Sequence, residues 1–448
     1  MAAILAGALG ALILIALLVW LMRRDPRALP LLAVFALPFR LPISADGRTV
    51  NLLVPLYVVV AAGVLAQLLP RLLQHGPRAG LRADTGTRAD GADARPLWRS
   101  PRGLEWLLLA AVVLYVLQAS YSSDHAKAAE NVAFFYVPFG LLFLLLRDVA
   151  WTRSLALACL GVAVTEAMLF AGVGFVEYAR KELFLNPKVV AANQYDNYFR
   201  VNSVFFDPSI YGRFLALVML PVATIVLWSS RRREVLIGAG VLAWLLAGLV
   251  TSFSQSSIAA LLLGLAVLAA HRWDVLATVY VTAALVAIAG VVLLLAPANL
   301  HFGLKGSGGS TSNATSGRTT LVSGGLKLFA DRPLEGWGSG SFETEYKRHG
   351  DASAQNATSA SHTIPITVAA EQGVVGLALY IALLVCAFAV LFTDAGRSPP
   401  RIALAACFAA LVLHTWTYAD FLEDPFTWTL LAVGVSFARR DVPFARGE

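Results

Sequence analysis

Residues 363–392 read T-I-P-I-T-V-A-A-E-Q-G-V-V-G-L-A-L-Y-I-A-L-L-V-C-A-F-A-V-L-F, with Glu371 as their single charge. An apolar run of this length is long enough to cross a bilayer as a helix. Because the backbone in lipid must satisfy its own hydrogen bonds, continuous runs of this kind indicate helices and not open sheets. The stretch therefore predicts a transmembrane helix.

The same pattern recurs along most of the chain. Of its 448 residues, 58% are hydrophobic and only 14% are charged, and the mean hydropathy is +0.69. Further apolar runs cover 2–22, 51–70, 104–120, 131–147, 153–177, 209–229, 234–251, 256–270, 275–296, 402–418 and 426–438. The proline-rich residues 28–43 predict a short, broken or re-entrant span. We therefore expect an all-α polytopic membrane protein with twelve or thirteen transmembrane helices.

The positions of the arginines predict which ends face the cytoplasm. Arginine clusters occur near 23–27, 71–103, 147–148, 231–233, 271–272, 397–401 and 439–440, and strict alternation from the first span places all of them inside. The outer segments are then 44–50, 121–130, 178–208, 252–255, 297–362 and 419–425.

This topology divides the chain into three parts. Residues 1–296 form a helical bundle with a disordered cytoplasmic loop (71–103) and an outer loop (178–208). Residues 297–361 form a large outer loop, and 362–448 supply the last three helices and a short tail. We interpret the arginines of 71–103 as a topology signal and not as a nucleic-acid-binding arm. The three cysteines lie in apolar runs without paired spacing, which indicates neither disulfides nor a metal cluster.

The large outer loop carries most of the polar sequence. It contains S-G-R-T-T-L from Ser316 and D-R-P-L-E-G-W-G-S-G-S-F from Asp331. The apolar spacing after Arg318 predicts a helix at the membrane surface that ends at 331–333. Glycines around Trp337 are more typical of tight backbone geometry than of a phosphate cradle.

Three residues of the outer segments have side chains suited to proton transfer or to phosphate binding. A neutral imidazole at His362 could take a proton from an acceptor hydroxyl, although a histidine at an interface is usually only tolerated there. Guanidinium groups bind phosphate oxygens bidentately and keep their charge, so Arg200 and Arg318 suit a pyrophosphate. For the aromatic residues near Arg200, an interfacial belt is the favoured interpretation.

These residues resemble a known family, the bacterial O-antigen ligase and O-antigen polymerase superfamily of membrane glycosyltransferases. The resemblance lies in the two loop motifs, in H-T-x9-G-V-V-G-L from His362, and in R-V-N-S-V-F-F-D-P-S-I-Y-G from Arg200. Together they span about a fifth of the chain.

The resemblance implies a GT-C-like helical fold in the bacterial cytoplasmic membrane, with a large periplasmic loop before the final three helices. It implies transfer of a glycan from undecaprenyl diphosphate to a glycan or lipid-linked acceptor, among membrane lipids, with inversion expected. It implies no cofactor, metal or nucleic acid. His362 is then the base or acceptor-orienting group, Arg318 binds diphosphate, and Arg200 supports it from the other loop.

One departure from the family concerns Gln255. The family often has Ser-Arg at the outer end of a span, where this chain has Ser254-Gln255. Glutamine can donate a hydrogen bond to phosphate but brings no charge. This slightly favours a polymerase over a ligase, and Arg200 then takes the missing role.

Other polar residues are candidates for substrate binding. Asp207, Tyr211 and Trp337 lie in the matching segments, and Glu166 lies inside a span, where it is as consistent with a hydrogen bond between helices as with function. The acids of 419–425 either orient the histidine, bind acceptor sugar or are solvated.

A transporter or flippase of lipid-linked glycans is the alternative function. Transporters place polar residues near the bilayer midplane, whereas those of this chain concentrate in outer segments. Convergence of Arg200, Arg318 and His362 on one pocket is the feature that discriminates the two.

Overall fold

The computed structural model describes residues 2–45, 48–75, 96–184, 199–276, 280, 312–349, 363–418 and 420–439. These residues form a helical membrane protein, which confirms the predicted fold class, and add one small antiparallel hairpin.

Fourteen helices cover most of the described residues. They are α1 (Ala2–Arg24), α2 (Ala28–Ala36), α3 (Val54–Gln74), α4 (Pro101–Ala119), α5 (His125–Arg147), α6 (Arg153–Arg180), α7 (Pro208–Trp228), α8 (Arg232–Thr251), α9 (Gln255–Arg272), α10 (Ser312–Asp331), α11 (Phe342–His349), α12 (Ile364–Phe392), α13 (Pro399–Thr417) and α14 (Pro425–Arg439).

Nine of these helices, within the ranges that the structure describes, are long and apolar enough to cross a membrane. They are α3 to α9, α12 and α13, and each coincides with a predicted span to within a few residues. Helix α1 adds 23 residues and α14 adds 15. The predicted span 275–296 lies mostly outside the described residues.

Residues 28–43 do not form a thirteenth span. They form the nine-residue helix α2, about 13 Å long, which is too short for a hydrocarbon core of roughly 30 Å. Strands β1 (Leu41–Ala45) and β2 (Arg48–Leu52) follow and pair in antiparallel fashion. The hairpin is a departure from the all-helical prediction.

Helix α7 is the buried centre of the bundle. It packs against α6, α8, α9 and α13, and most of its residues are buried. Helix α13 is the next most buried span, whereas α4 and α8 leave most of their surface on the outside of the bundle. The segments attached to the outer end of α7 are therefore held by helices on several sides.

Several residues near the predicted cytoplasmic ends of the helices form ion pairs with one another at one end of the bundle. Glu105 pairs with Arg147 at 2.9 Å and with Arg439 at 2.6 Å, and Arg71 pairs with Asp148 at 2.9 Å. These contacts join α3, α4, α5 and α14 at the same end, as the arginine positions predicted.

Candidate functional site

The glycine-rich motif Asp331–Phe342 inserts into a break in the transmembrane helix α12. The break is at Gly373, whose φ of 65° is not helical. Trp337 N donates to Ala370 O at 3.1 Å and Gly338 N donates to Glu371 O at 2.8 Å, while Val374 N donates to Pro333 O at 2.7 Å. The loop thus replaces helical hydrogen bonds that the break removes, which a helix in lipid requires.

Two glycines make this insertion sterically possible. A Cβ at Gly373 would lie 2.2 Å from Leu334 O. Gly338 has φ of 92°, and a Cβ there would lie 2.3 Å from Ser122 Cα. Only glycine adopts such conformations at this contact distance without strain. The glycines around Trp337 therefore set backbone geometry, as the sequence favoured.

Glu371 fastens the end of the motif to α12. Its two carboxylate oxygens accept hydrogen bonds from Gly340 N at 2.9 Å and from Phe342 N at 3.0 Å, and Phe342 is the first residue of α11. A carboxylate at the N-terminus of a helix is favourably placed. The sequence signal for this role was the lone charge of the 363–392 run, and our sequence analysis did not assign it.

The other side of the motif contacts the turn between α4 and α5. Ser122 Oγ donates to Ser339 O at 2.8 Å, and Ser339 Oγ donates to Tyr115 O at 2.9 Å. Thr344 Oγ1 donates to Asp124 Oδ2 at 2.9 Å. Two segments that were predicted to lie outside, 121–130 and 297–362, therefore meet at one end of the bundle.

Arg200 lies against the turn between α8 and α9. Its Nε donates to Ser252 O at 3.2 Å, and Val201 N donates to Thr251 O at 3.2 Å. Gln255 is exposed in the same turn and is the first residue of α9. The structure therefore places Arg200 against Ser252, three positions before Gln255, the position at which the resemblance to the family leads us to expect arginine.

Asp207 and Tyr211 anchor the outer end of α7. Asp207 Oδ1 accepts from Ser209 N at 2.6 Å as the N-cap of α7. Tyr211 is fully buried, and its hydroxyl fits beside Gly174 of α6 and Gly248 of α8, where a Cβ would come within 3.0 and 2.9 Å of it. Both residues position the segment that starts at Arg200.

A buried ion pair that was not predicted from the sequence lies beneath this segment. Arg213 Nη1 lies 3.1 Å from Asp424 Oδ2, and the side chains are 2% and 0% exposed. The imidazole Nε2 of His414, also fully buried, lies 3.2 Å from Ser257 Oγ. The only sequence signal for Arg213 was a single charge inside an apolar run.

The acidic turn before α14 connects the two halves of the site. Asp424 pairs with Arg213 on α7, whereas Glu423 Oε1 accepts from Asn131 Nδ2 of α5 at 2.8 Å. Burial, and then the nearby Asp420, raises the pKa of Glu423. The turn thus connects α7, which follows the Arg200 segment, to α5, which follows the turn that contacts the loop.

The remaining predicted residues are placed as follows. Trp337 Nε1 donates to Leu328 O at 2.9 Å, and the Arg332 guanidinium lies 4.0 Å from the Trp337 ring. Glu166 is buried in α6, and neither of its carboxylate oxygens has a hydrogen-bond partner among the described residues.

Two predicted catalytic groups are described only in part or not at all. Arg318 lies in α10, which packs against α12, but its side chain is outside the described residues. His362 is outside them as well, directly before Thr363, where α12 begins. The predicted convergence of Arg200, Arg318 and His362 therefore stays a prediction. Within the described ranges, no three His, Cys, Asp or Glu side chains could together hold a metal ion.

Comparison with known families agrees with the resemblance noted from the motifs. Residues 240–381 match the family model described as O-antigen ligase. The match covers about a third of the chain, from α8 into α12, and includes Gln255, Arg318 and His362. No curated protein matches the chain. The resemblance is therefore confirmed over the segment that contains the turn after α8, the large loop and the broken helix.

Proposed function

We propose that the protein is a membrane glycosyltransferase that moves a glycan from a polyprenyl diphosphate to an acceptor hydroxyl at the outer end of the bundle. The observation that carries this proposal is the turn 420–424, in which Asp424 contacts α7 and Glu423 contacts α5. It connects α7, which follows the Arg200 segment, to α5, which follows the turn that contacts the inserted loop, and this supports a site shared by the two segments.

The proposed reaction is a single displacement. The acceptor oxygen bonds to the anomeric carbon, the bond between that carbon and the diphosphate oxygen breaks, and the acceptor proton passes to the imidazole of His362. The polyprenyl diphosphate leaves with the electron pair of the broken bond, and the anomeric configuration inverts. Arg200 and Arg318 stabilise the leaving diphosphate because guanidinium groups stay charged and bind two phosphate oxygens at once.

The geometry of the α8–α9 turn supports a specific role for Arg200. Gln255 at the start of α9 carries no charge, and the Arg200 guanidinium is bonded to Ser252 O three positions earlier. The N-terminus of α9 also favours an anion. We propose that Arg200 supplies at this turn the charge that arginine at position 255 would otherwise provide.

The test is glycan transfer in proteoliposomes that contain a polyprenyl-diphosphate oligosaccharide. Arg200→Ala, Arg318→Ala and His362→Ala should each reduce release of the diphosphate lipid, the arginine variants by about 10- to 150-fold, because each removes charge-assisted hydrogen bonds. Arg231→Ala is the matched control, since that arginine is exposed at the start of α8, away from the turn. A longer glycan identifies a polymerase, and glycan on another molecule identifies a ligase.

Equal release by the wild type and all variants would contradict the assignment. Movement of intact lipid-linked glycan across the bilayer, with no diphosphate lipid released, would instead favour the transporter.

A further inference from the structure

A pocket of about 70 Å³ lies between α4, α5, α12 and the acidic turn before α14. Its volume is several times what one water molecule needs. Its polar wall includes Tyr115, Tyr136, Thr367 and Glu423. The lining of the pocket includes Ile364, the first residue of α12, which is two positions after His362 in the chain.

Two tyrosines form one wall of the pocket. The rings of Tyr115 and Tyr136 are stacked with centroids 4.1 Å apart, and each residue is less than a tenth exposed. Tyr115 Oη accepts a hydrogen bond from Asn131 Nδ2 at 2.7 Å. Rings held rigidly in this way present an apolar surface with polar edges, which suits a sugar ring with its C–H faces and hydroxyls.

The carboxylate of Glu423 is held in place at the same wall. Asn131 Nδ2 donates to both Tyr115 Oη and Glu423 Oε1, so one amide fixes the tyrosine and the carboxylate relative to each other. Glu371 also lines the pocket, but both of its oxygens accept backbone amide hydrogens of the loop. Glu423 is therefore the acid of this pocket that is best placed to accept hydrogen bonds from a ligand.

The charge around the pocket selects against anions. Glu130, Glu371, Asp420 and Glu423 interact electrostatically at this site, and Lys127 is the cation among them. Burial and the repulsion from these neighbouring acids raise the pKa of Glu423 to about 8, and above that pH the carboxylates repel a further negative charge. The diphosphate is thus expected on the side of Arg200, and an uncharged ligand on this side.

We propose that this pocket binds an uncharged sugar residue of the acceptor glycan, with sugar hydroxyls donating to Glu423 and the ring against the Tyr115–Tyr136 wall. The proposal rests on the proposed function, because it assigns the acceptor to one side of the same site. The pocket is also expected to prefer neutral over acidic sugars in the acceptor glycan.

The direct test is saturation-transfer NMR on the detergent-solubilised protein, with irradiation of aromatic protons. The probes are glucose, galactose, mannose and rhamnose, with glucuronic and galacturonic acid as the charged counterparts. The spectra are recorded at pH 9, because burial and then Asp420 raise the pKa of Glu423 to about 8 and the carboxyl is ionised above that value. At this pH we expect transfer to at least one neutral sugar and weaker transfer to both acids. We also expect a rise of about tenfold or more in the Kd for Glu423→Gln, because a charged acceptor is replaced by a neutral one.

Glu423→Gln can keep the hydrogen bond from Asn131, so its fold is expected to survive, which its melting temperature checks. Glu234→Gln is the control because that carboxylate lies at the opposite end of α8 from the Arg200 turn. Absence of saturation transfer to every sugar would overturn the proposal, and so would a Kd for Glu423→Gln equal to that of the wild type.

A kinetic measurement separates this proposal from the proposed function. In the proteoliposome assay, Glu423→Gln should raise the KM for the acceptor and leave the KM for the donor unchanged. Sugar binding without any glycan transfer would support the pocket and contradict the glycosyltransferase. Transfer by the wild type with an unchanged acceptor KM in Glu423→Gln would contradict the pocket and keep the glycosyltransferase.

Discussion

The buried pair Arg213–Asp424 joins the start of α7 to the turn before α14, and Asp424→Asn tests what it contributes. The nitrogen and oxygen are 3.1 Å apart and both side chains are almost fully buried. Asp424 Oδ1 also accepts from Phe426 N at 3.1 Å. Asparagine caps a helix about as well as aspartate, so the substitution removes a charge and little else.

The expected loss follows from the distance and the burial. Unit charges at 3.1 Å attract each other by about 5 kcal/mol at an effective dielectric constant of about 20. Removal of one partner of a buried pair typically costs about 3–5 kcal/mol, because the other charge is left uncompensated. Since arginine cannot release its proton, we expect Asp424→Asn to lower the free energy of unfolding by about 3–5 kcal/mol.

The other partner of the pair is removed by Arg213→Met, and the resulting loss in the free energy of unfolding should depend on pH. Burial raises the pKa of Asp424, and Arg213 opposes that rise. The folded-state pKa of Asp424 already lies above its ordinary value, and without Arg213 it rises further, so the carboxyl stays protonated to a higher pH than in the wild type. The stability loss is then small at low pH and grows as the pH rises through the folded-state pKa.

The assay is unfolding by SDS in mixed micelles, followed by the fluorescence of the ten tryptophans. Glu234→Gln is the matched control, because its pair with Arg231 has the same 3.1 Å distance but is largely exposed. We expect no measurable loss for this control. A loss for Asp424→Asn no larger than that of the control, or a loss for Arg213→Met that is the same at every pH, would refute the reasoning.

Two further substitutions test the inserted loop with the same SDS titration. Gly338→Ala places a Cβ 2.3 Å from Ser122 Cα at a φ of 92° and should lower the free energy of unfolding by about 1–3 kcal/mol, with faster proteolysis of 331–342. Its control, Gly240→Ala, has open space around the new Cβ and should gain up to about 1 kcal/mol. Glu371→Gln places a side-chain N–H against a backbone N–H of the loop and should lower the free energy of unfolding by about 1–3 kcal/mol. Wild-type stability of this variant would mean that the carboxylate does not hold the loop.

The spans were predictable because their signal is local. The run 209–229 was predicted and the helix is Pro208–Trp228, with Asp207 as its cap and a proline in its first turn. The run 234–251 likewise became Arg232–Thr251. The length of the apolar run, the capping residues and the flanking arginines all lie within a helix or a few residues from its ends.

The break in α12 was not predictable in the same way. The run 363–392 is continuously apolar, and Gly373 within it has no sequence signal that distinguishes it from other helical glycines. Its non-helical conformation depends on Pro333 and Trp337, which arrive from another part of the chain and supply the replacement hydrogen bonds. The hairpin 41–52 was missed although the sequence carries a signal for it, because Asp46-Gly47 between two short strand-like segments is typical of a hairpin turn.

The sequence predicted which segments of the chain belong to the candidate site, but it did not predict the contacts between them. Arg200 and Gln255 were singled out separately, and the structure adds that Arg200 contacts the turn that leads to Gln255. Arg213 was passed over because a lone charge in an apolar run has no partner until the fold places Asp424 beside it. The roles of His362 and Arg318 stay predictions that the transfer assay tests.

The inserted loop is best understood as a fixed wall of the site and not as a lid. Withdrawal of Asp331–Phe342 would leave the carbonyls of Ala370 and Glu371 and the amide of Val374 without partners in a helix that lies in the membrane. An unsatisfied buried polar group costs about 1–3 kcal/mol each, so opening would cost several kcal/mol before the Glu371 contacts are counted. In the proposed reaction, donor and acceptor would therefore reach the site past other segments, while the loop holds α12 at residues 370–374 in one position.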